Sequence, residues 1–576
     1  MCGIIGYVGL KEANDVLMAG LEQLEYRGYD SAGMCTQNLH SLKLIKSQGR
    51  VENLKSSHVQ GTIGIGHTRW ATHGKPSDEN AHPFMDSQNQ FSIVHNGIIE
   101  NYLELKEELR KEKVIFTSDT DSEVIVHLIA KYYKGNLKDA VLKTIRRLQG
   151  SYAFCVINKD QEEIVGARNG SPLIIGVGKN ENFFASDVSA VIKYTKEVIY
   201  LNDFEVAKIT KDSIEILDFE GYNKPLAIQE VEWDIEQAQK QGYKHFMIKE
   251  IMEQPKVVEN QLKVPFNFES KPKMIHIIAC GGAGFAGVLG EYIIEEISGI
   301  PTRFYHGSEF RYRKPILHKQ DLVVAISQSG ETADTLAAIR EAKKSETQTL
   351  GIINVVGSTI ARESDDVIYT RAGPEISVAS TKAFLAQILS MYQLAHGLNN
   401  EVFAFQDYKE MIKQLLQLDT QIKQLAEKYF KYQNFIYIGR NRNYAIALEG
   451  ALKLKEIAYI HAEAYPAGEL KHGPLALVSE DMPTFAICPQ DEFYEKTFSN
   501  IQEVKARNGK VISLATEGDE NIKLVSDDVI YIPKVHSILY PLLETIPIHL
   551  FAYHIADLRE SDIDKPRNLA KSVTVE

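Results

Sequence analysis

The chain carries a cysteine directly after its first methionine, in the sequence Met1-Cys2-Gly3-Ile4-Ile5-Gly6. Methionine before a small residue is usually removed, which would leave Cys2 with both a thiol and a free α-amino group. An α-amino group has a pKa of about 8, so it can accept the thiol proton and activate the sulfur as a nucleophile. The apolar run that follows predicts a strand that would hold this terminus in a core. On these residues alone, an accidental buried cysteine is an equally good interpretation.

The segment Gly64–Gly74 concentrates groups that suit a small-ligand site. Its Arg69 could hold a substrate carboxylate through two parallel hydrogen bonds. We expect His67 to be a satisfied core residue, whereas His73, next to a glycine, is a better candidate for the site.

Asn96 and Gly97 follow a short apolar run. An Asn-Gly pair in this position is usually a hairpin turn. The alternative is that the Asn96 amide and the Gly97 backbone N–H stabilise an oxyanion, as acyl transfer to Cys2 would require.

Acidic and hydroxyl residues fill Ser118–Glu123, just before a predicted helix over 124–131. Asp119 or Thr120 could serve only as the N-cap of that helix. Asp121 could instead pair with the α-ammonium of an amino-acid substrate.

The second half contains an internal repeat of short apolar runs. Ala325 and Ala486 are 161 residues apart, as are Gly357 and Gly518. Because these runs alternate with helical stretches, they predict two doubly wound α/β domains with parallel sheets, whose ligands bind beyond the carboxyl ends of the strands. The predicted strands are 275–279, 322–326 and 349–353 in the first copy, and 435–438, 484–487 and 510–514 in the second.

The loop Ser327-Gln328-Ser329-Gly330-Glu331-Thr332 lies between a predicted strand and a predicted helix over 333–343. Three hydroxyl groups and the free N–H groups of a helix start would form a phosphate cradle. A serine-rich helix cap is the alternative, although capping does not need three hydroxyls.

A predicted helix over 448–456 brings Glu449, Lys453 and Glu456 onto one face. These charges could lie on a solvated face, but the leucines on adjoining positions favour a buried helix in which charges need a purpose. In the turn that follows, His472 lies beside charged groups and could act as an acid or base.

Composition excludes several classes of protein. The chain has 576 residues and a net charge of −13, which argues for three or four domains and against nucleic acid or an anionic membrane as the main partner. Its five cysteines are scattered and odd in number, so we expect neither a disulfide framework nor a metal site. Without a long apolar segment or a signal peptide, a cytoplasmic location is expected.

Taken together, the motifs of the first half resemble a class II glutamine amidotransferase domain, an N-terminal-nucleophile glutaminase. The resemblance implies an α+β fold of two antiparallel sheets between helices. It also implies that Cys2 is the nucleophile, that Asn96 and Gly97 form the oxyanion hole, and that Trp70 gates the passage of ammonia. The residues expected around the glutamine are Arg69, Trp70, Thr72, His73 and Asp121.

The second half resembles a pair of sugar-isomerase domains, and the whole chain is similar to the glucosamine-6-phosphate synthase family, the isomerising glutamine:fructose-6-phosphate aminotransferases. The resemblance implies a Schiff base between Lys571 and the ketose, proton transfer by Glu456, ring opening assisted by His472, and support from Glu449 and Lys453. No cofactor is implied. In that family the equivalent of His472 reaches the neighbouring subunit, so a homodimer is implied. The residues expected to bind the sugar phosphate are Ser327, Gln328, Ser329, Thr332, Val378, Ser380, Gly282, Ala283 and Ala570.

One departure from the family pattern concerns the loop after the first strand of the isomerase half. The family usually reads Cys-Gly-Thr-Ser-Tyr there, whereas this chain reads Cys280-Gly281-Gly282-Ala283-Gly284. A lost hydrogen bond to a charged group could weaken sugar binding about ten-fold. The alternative function is therefore a glutaminase with an impaired sugar site that senses sugar phosphate, and restoring Thr and Ser at 282 and 283 should lower the apparent KM for sugar.

The expected domains follow from these assignments. They are a glutamine amidotransferase domain at 2–238, a linker and start of the isomerase half at 239–256, sugar-isomerase domains at 257–420 and 421–562, and a C-terminal active-site tail at 563–576.

Overall fold

A computed structural model describes residues 2–231, 239–264, 266, 268 and 271–574. Met1, the end of the predicted glutamine amidotransferase domain (232–238), four residues near the start of the first predicted sugar-isomerase domain (265, 267, 269 and 270) and the last two residues of the predicted tail (575 and 576) lie outside the described residues. The chain divides into two compact units. One comprises Met1–Ala238 with Ala570–Glu576, and the other comprises Gln239–Leu569.

The first unit consists of four layers, with two antiparallel sheets between helices. One sheet has the strand order β14-β11-β9-β10-β1-β4-β2-β3, and the other has the order β13-β12-β8-β7-β6-β5. The elements are β1 (Gly3–Val8), α1 (Ala13–Leu24), β2 (Ser31–Asn38), β3 (Ser41–Gln48), β4 (Ile63–Arg69), β5 (Phe84–Met85), β6 (Phe91–Ile99), α2 (Tyr102–Lys111), α3 (Glu123–Tyr132), α4 (Leu137–Ile145), β7 (Gly150–Asn158), β8 (Gln161–Asn169), β9 (Ile174–Val177), β10 (Asn182–Ala185), β11 (Glu197–Tyr200), β12 (Val206–Ile209), β13 (Ile214–Leu217) and β14 (Gln229–Glu230).

Strand β1 shows why the layers form. Successive side chains of a strand point to opposite faces. Ile4 and Val8 pack into the core between the two sheets, whereas Ile5 and Tyr7 pack into the core beneath α1. Because both faces of β1 are apolar, the strand is buried on both sides, and this confirms the predicted anchoring of the N-terminus.

The second unit contains two parallel sheets of five strands each, with helices around them. The strand orders are β16-β15-β17-β18-β19 and β21-β20-β22-β23-β24. The elements are α5 (Phe246–Met252), α6 (Gln254–Leu262), β15 (Ile275–Ala279), α7 (Gly281–Ser298), β16 (Thr302–His306), α8 (Gly307–Phe310), β17 (Leu322–Ser327), α9 (Ala333–Lys344), β18 (Gln348–Ile353), α10 (Thr359–Glu363), β19 (Asp366–Tyr369), α11 (Lys382–Gly397), α12 (Tyr408–Leu416), α13 (Asp419–Tyr429), β20 (Asn434–Gly439), α14 (Arg442–Ala458), β21 (His461–Pro466), β22 (Thr484–Ile487), α15 (Tyr494–Lys505), β23 (Val511–Thr516), β24 (Asp528–Ile532) and α16 (Tyr540–Leu558).

The two sheets have the same topology, which confirms the predicted repeat. In each sheet the first strand lies between the second and the third, and the fourth and fifth follow in order. Gly357 and Gly518, which are equivalent in the repeat, both have left-handed backbone angles, with φ of +73° and +86°. The turn after the fourth strand is thus the same in both copies.

One continuous core joins the two halves of the second unit. Helix α16 lies within that core, and its residues from Tyr540 to Ala556 are all buried. This helix is largely apolar on all sides, so burying a polar side chain in it is costly unless a partner offsets the cost. Within the described ranges, no helix is long and apolar enough to cross a membrane.

Candidate active sites

Cys2 lies immediately before β1, and the end of β4 holds its side chain. The backbone N–H of Trp70 donates a hydrogen bond to Cys2 Sγ at 3.2 Å. Gly3 pairs with Thr68 of β4, and an added Cβ at Gly3 would stand 2.6 Å from Thr68 Oγ1. Burial raises the pKa of the Cys2 thiol, and the Trp70 hydrogen bond and the Arg69 charge oppose this effect. The sulfur therefore needs a nearby base to become a thiolate.

Asn96 connects the candidate nucleophile with a buried histidine. Its Nδ2 donates a hydrogen bond to the Cys2 carbonyl oxygen at 3.0 Å. Its Oδ1 lies 3.0 Å from Nε2 of His67, which is also 2.9 Å from the carbonyl oxygen of His95. Both neighbours of that nitrogen are acceptors, so Nε2 carries the proton and fixes the orientation of the Asn96 amide. Burial lowers the pKa of His67 to about 3, so the ring is neutral at physiological pH.

Asn96 and Gly97 do not form a hairpin turn, so that interpretation was wrong. Both lie within β6, where they pair with Ala153 and Tyr152 of β7. Gly97 has φ of +130°, and a Cβ there would come within 2.1 Å of the Ser151 carbonyl oxygen. Only glycine lets the strand pass this point, which leaves the Asn96 amide beside Cys2.

Two oppositely charged side chains are buried in the same unit. Arg69 at the end of β4 is 3% exposed and donates from Nη2 to the carbonyl oxygens of His73 and Gly74, the latter at 2.9 Å. Among the described residues, its Nη1 has no hydrogen-bond partner. Asp121, also 3% exposed, accepts a hydrogen bond from the backbone N–H of Ile99 at 2.8 Å. A buried guanidinium with an available nitrogen suits a carboxylate ligand.

The capping interpretation of Asp119 and Thr120 was also wrong. Helix α3 begins at Glu123 with Ser122 as its N-cap. Glu123 accepts hydrogen bonds from the backbone and hydroxyl groups of the two residues 117 and 118. It thereby ties the segment before the helix to the helix itself.

The remaining residues expected around glutamine are more accessible. Trp70 is partly buried and its ring meets Tyr29 edge to face, with 5.7 Å between the ring centroids. Thr72 is exposed, and the partly buried His73 meets Tyr102 edge to face at 5.4 Å. These side chains lie at the surface of the segment that Arg69 anchors.

In the second unit, the loop Ser327–Thr332 closes on itself after β17. Ser327 Oγ lies 2.9 Å from Thr332 Oγ1 and accepts a hydrogen bond from the Gly330 backbone N–H at 3.0 Å. Thr332 is the N-cap of α9 but makes no side-chain capping hydrogen bond. The helix start thus keeps its N–H groups for another acceptor, which favours the phosphate cradle over the helix cap.

Three charged residues of α14 form a buried chain, as the sequence predicted. Lys453 Nζ lies 2.6 Å from Glu456 Oε2 and 3.4 Å from Glu449 Oε1. The side chains of Glu449 and Lys453 are 0% and 1% exposed, so the solvated-face interpretation was wrong. Burial alone would lower the pKa of Lys453, but Glu449 and Glu456 raise it above its ordinary value. The lysine is therefore a fixed cation between two carboxylates.

A second loop is held by two buried carboxylates. Glu375 accepts hydrogen bonds from Ser380 Oγ at 2.8 Å and from the Thr381 backbone N–H at 2.9 Å. Glu250 of α5 accepts from the backbone N–H of Ile376. Val378, at the centre of this loop, is 9% exposed. Ser380 is thus fixed by Glu375, and Val378 donates its backbone N–H to the Asp564 carbonyl oxygen at 3.0 Å.

The loop that departs from the family pattern, residues 280–284, lies next to the charged residues of α14. Helix α7 begins at Gly281, so Gly282 and Ala283 belong to its first turn. An added Cβ at Gly282 would stand 3.2 Å from Glu449 Oε2. The side chain that position 282 lacks would therefore meet Glu449 directly.

Comparison with known proteins assigns these two units to one family. The SIS domain pattern matches residues 270–397 and 428–558, and the glutamine amidotransferase domain pattern matches residues 67–193. The glutamine–fructose-6-phosphate aminotransferase (isomerizing) of Aquifex aeolicus is 49% identical over 593 residues, covering 100% of both chains. The enzyme of the same name from Thermus thermophilus is 47% identical over 604 residues, again covering 100% of both. The chain belongs to the isomerizing glutamine–fructose-6-phosphate aminotransferase family. A solved structure of the C-terminal domain of such an aminotransferase from Francisella tularensis is 42% identical, with a TM-score of 0.53, and covers 57% of this chain and 100% of its own.

The remaining residues expected at the sugar site are His472, Ala570 and Lys571. His472 ends a 3₁₀ helix, Ala467–His472, and is exposed. Ala570 and Lys571 are partly buried and belong to the terminal segment that groups with the first unit.

Several residues that support these sites were missed in the sequence. Asp564 accepts hydrogen bonds from the backbone N–H groups of Phe246 and Met247 at 2.9 and 3.0 Å, so the tail caps α5. His549 of α16 contacts Glu449 at 3.1 Å. No local pattern announces these contacts, because the partners are 100 or more residues apart in the chain.

Proposed function

We propose that this chain converts L-glutamine and fructose 6-phosphate into L-glutamate and glucosamine 6-phosphate. The observation that carries the proposal is that one chain of this family contains both of two arrangements. The Asn96 side chain donates a hydrogen bond to the Cys2 carbonyl oxygen, and Lys453 lies between the carboxylates of Glu449 and Glu456. The first arrangement suits hydrolysis of an amide, and the second suits proton transfer on a sugar.

In the first half-reaction, Cys2 Sγ attacks the side-chain amide carbon of glutamine. The α-amine of processed Cys2 takes the thiol proton, and the Asn96 amide with the Gly97 N–H stabilises the oxyanion. Collapse of the intermediate expels ammonia and leaves a glutamyl thioester, which water hydrolyses to glutamate. Arg69 holds the substrate carboxylate and Asp121 its ammonium, while Trp70, Thr72 and His73 close the site.

In the second half-reaction, the sugar phosphate binds at the Ser327–Thr332 loop with Val378, Ser380 and Ala570 beside it. Lys571 forms an imine with the ketose carbonyl, which releases water. Ammonia from glutamine then adds to C2 of this imine and expels the Lys571 amine, which leaves the imine of the ketose with ammonia. Glu456 removes a proton from C1 and returns one to C2, so that the nitrogen at C2 becomes the amino group and C1 becomes the aldehyde.

The supporting groups of the sugar site have separate roles. Glu449 and Lys453 support the proton transfer, and the backbone N–H groups of Gly282 and Ala283 contact the sugar. His472 assists ring opening in the neighbouring subunit of a homodimer.

A second candidate function is a glutaminase whose isomerase half senses sugar phosphate. The glycine-rich loop at 281–284 favours it, because that loop offers no hydroxyl groups. The presence of Lys571 argues against it, since a sensor needs no imine-forming lysine.

The test measures both products in one reaction. The purified chain is incubated with glutamine and fructose 6-phosphate, and glutamate and glucosamine 6-phosphate are quantified separately. Equal amounts support the synthase, and glutamate without amino sugar supports the sensor. Lys571→Met should abolish only the amino sugar, whereas Lys409→Met, at an exposed ion pair, should change neither product.

A further inference from the structure

A buried histidine that the proposed mechanism does not use contacts the sugar-site carboxylate. His549 lies in the middle of α16 with a fully buried side chain, and its Nε2 is 3.1 Å from Glu449 Oε1. Because a carboxylate oxygen only accepts hydrogen bonds, Nε2 carries the proton and donates it. Phe384 packs edge to face on the imidazole, with 5.9 Å between the ring centroids.

Only one ring nitrogen of His549, Nε2, makes a hydrogen bond among the described residues, and its partner is Glu449. Within the part of the chain that the structure describes, Nδ1 of His549 has no hydrogen-bond partner. An imidazole in an apolar helix is costly to bury, so a single strong partner must offset that cost. The contact with Glu449 is therefore the reason why this position can be histidine.

Glu449 is held on one side only. Its Oε1 lies 3.1 Å from His549 Nε2 and 3.4 Å from Lys453 Nζ. Its Oε2 is buried and, among the described residues, has no hydrogen-bond partner. A buried carboxylate oxygen without a donor is costly, which indicates that a donor from outside the chain completes the site.

The position of Gly282 shows where that donor would lie. A Cβ on Gly282 would stand 3.2 Å from Glu449 Oε2, and its absence leaves room on the side of α7 that carries the glycine-rich loop. In parallel α/β domains, ligands bind at this loop end of the strands. Because Oε2 is buried, a hydroxyl group of a bound sugar would reach it from the side of Gly282 as the first turn of α7 adjusts to the ligand.

We propose that His549 is a positioning residue of the sugar site: it fixes Glu449 Oε1 so that Oε2 accepts a hydrogen bond from a hydroxyl group of the bound sugar phosphate. The inference rests on the proposed function, because it assumes that fructose 6-phosphate binds in the second unit. It adds a residue and a contact that the motifs do not contain.

Calorimetric binding of fructose 6-phosphate to the full chain tests the inference without requiring turnover. His549→Leu removes the donor and should weaken binding about ten-fold or more, as expected for a hydrogen bond to a charged group. His549→Gln keeps an N–H donor and should stay within about three-fold of the parent chain. The matched control is His554→Leu on the same helix, which loses a His–carboxylate pair with Asp419 at 2.8 Å but should leave the affinity unchanged.

The outcomes separate this inference from the proposed function. If the parent chain binds no fructose 6-phosphate at millimolar concentration, both the proposed function and this inference fail. If the parent binds but His549→Leu binds equally well, or if His549→Gln is as weak as His549→Leu, only the inference fails. Should His549→Leu not fold, His549→Asn replaces it, since its shorter amide does not reach Glu449 and should bind as weakly.

Discussion

Replacing Gly97 with alanine should disable the glutaminase reaction through the backbone alone. The new Cβ would stand 2.1 Å from the Ser151 carbonyl oxygen on the neighbouring strand, whereas ordinary contact begins at about 3.4 Å. Strands β6 and β7 must therefore separate, and Asn96 moves with β6. Losing one oxyanion donor typically costs about 100- to 1,000-fold in kcat, or about 3 to 4 kcal/mol. Holding alanine at a φ of +130° costs a further ~1–3 kcal/mol of folding stability.

The assay measures glutamate release and unfolding in the same preparations. The chain has two tryptophans, Trp70 and Trp233, and both precede residue 239. Tryptophan fluorescence therefore reports the unfolding of the first unit without a signal from 239–569. Gly135→Ala is the matched control, because Gly135 also has a positive φ, +92°, but no atom within 4 Å of an added Cβ.

We expect Gly97→Ala to lose activity well beyond its loss of stability, and Gly135→Ala to keep kcat within about two-fold while losing ~1–2 kcal/mol. Glutaminase activity of Gly97→Ala within ten-fold of the parent would refute the reasoning. Equal losses in the two variants would show that positive-φ strain, and not the position of β6, decides the activity.

Two further predictions concern buried side chains of the first unit. Burial raises the pKa of Glu123, but the hydrogen bonds that it accepts outweigh burial and lower it to about 2. A depressed carboxyl pKa stabilises the fold above the ordinary value and loses that effect as pH falls towards 2, so Glu123→Gln should cost about 3 kcal/mol at pH 7 and progressively less below pH 4.5. A pH-independent difference in tryptophan-detected unfolding would contradict this. His67→Ala should lower glutaminase kcat about ten-fold or more by freeing the Asn96 amide, yet add little in an Asn96→Ala background; additive losses in this double-mutant cycle would show that His67 acts elsewhere.

Much of the fold could be predicted because buried strands leave continuous apolar runs. The strand at Ile275–Ala279 was predicted with its observed bounds, and Leu322–Ser327 differs by one residue. The predicted strand 484–487 also has the bounds of the observed strand β22, Thr484–Ile487. The family fold, antiparallel sheets followed by two parallel five-stranded sheets, is confirmed.

The errors arose where tertiary structure overrides a local rule. Asn96 and Gly97 have the composition of a turn, but pairing with β7 keeps them in a strand, because glycine tolerates the positive φ that this requires. His549 could not be assigned from sequence, because an isolated histidine in an apolar helix gives no hint of a partner 100 residues earlier. Sequence spacing reveals contacts within one element, whereas these contacts join different elements.

The two units differ in the charge that surrounds their candidate reactive groups. In the first unit, burial lowers the pKa of His67 to about 3 and that of His95 to about 4, so these rings supply hydrogen bonds without adding charge beside Cys2. In the second unit, charge is retained, because Lys453 lies between Glu449 and Glu456 and each ion is compensated. The neutral rings orient the Asn96 amide, and a positive charge that acts on Cys2 comes from Arg69. Proton transfer on a sugar needs a carboxylate instead, and the Lys453 cation compensates the charge of Glu449, which is fully buried, and of Glu456, which is 22% exposed. The chemistry proposed for each unit thus follows from the charge state that its core enforces.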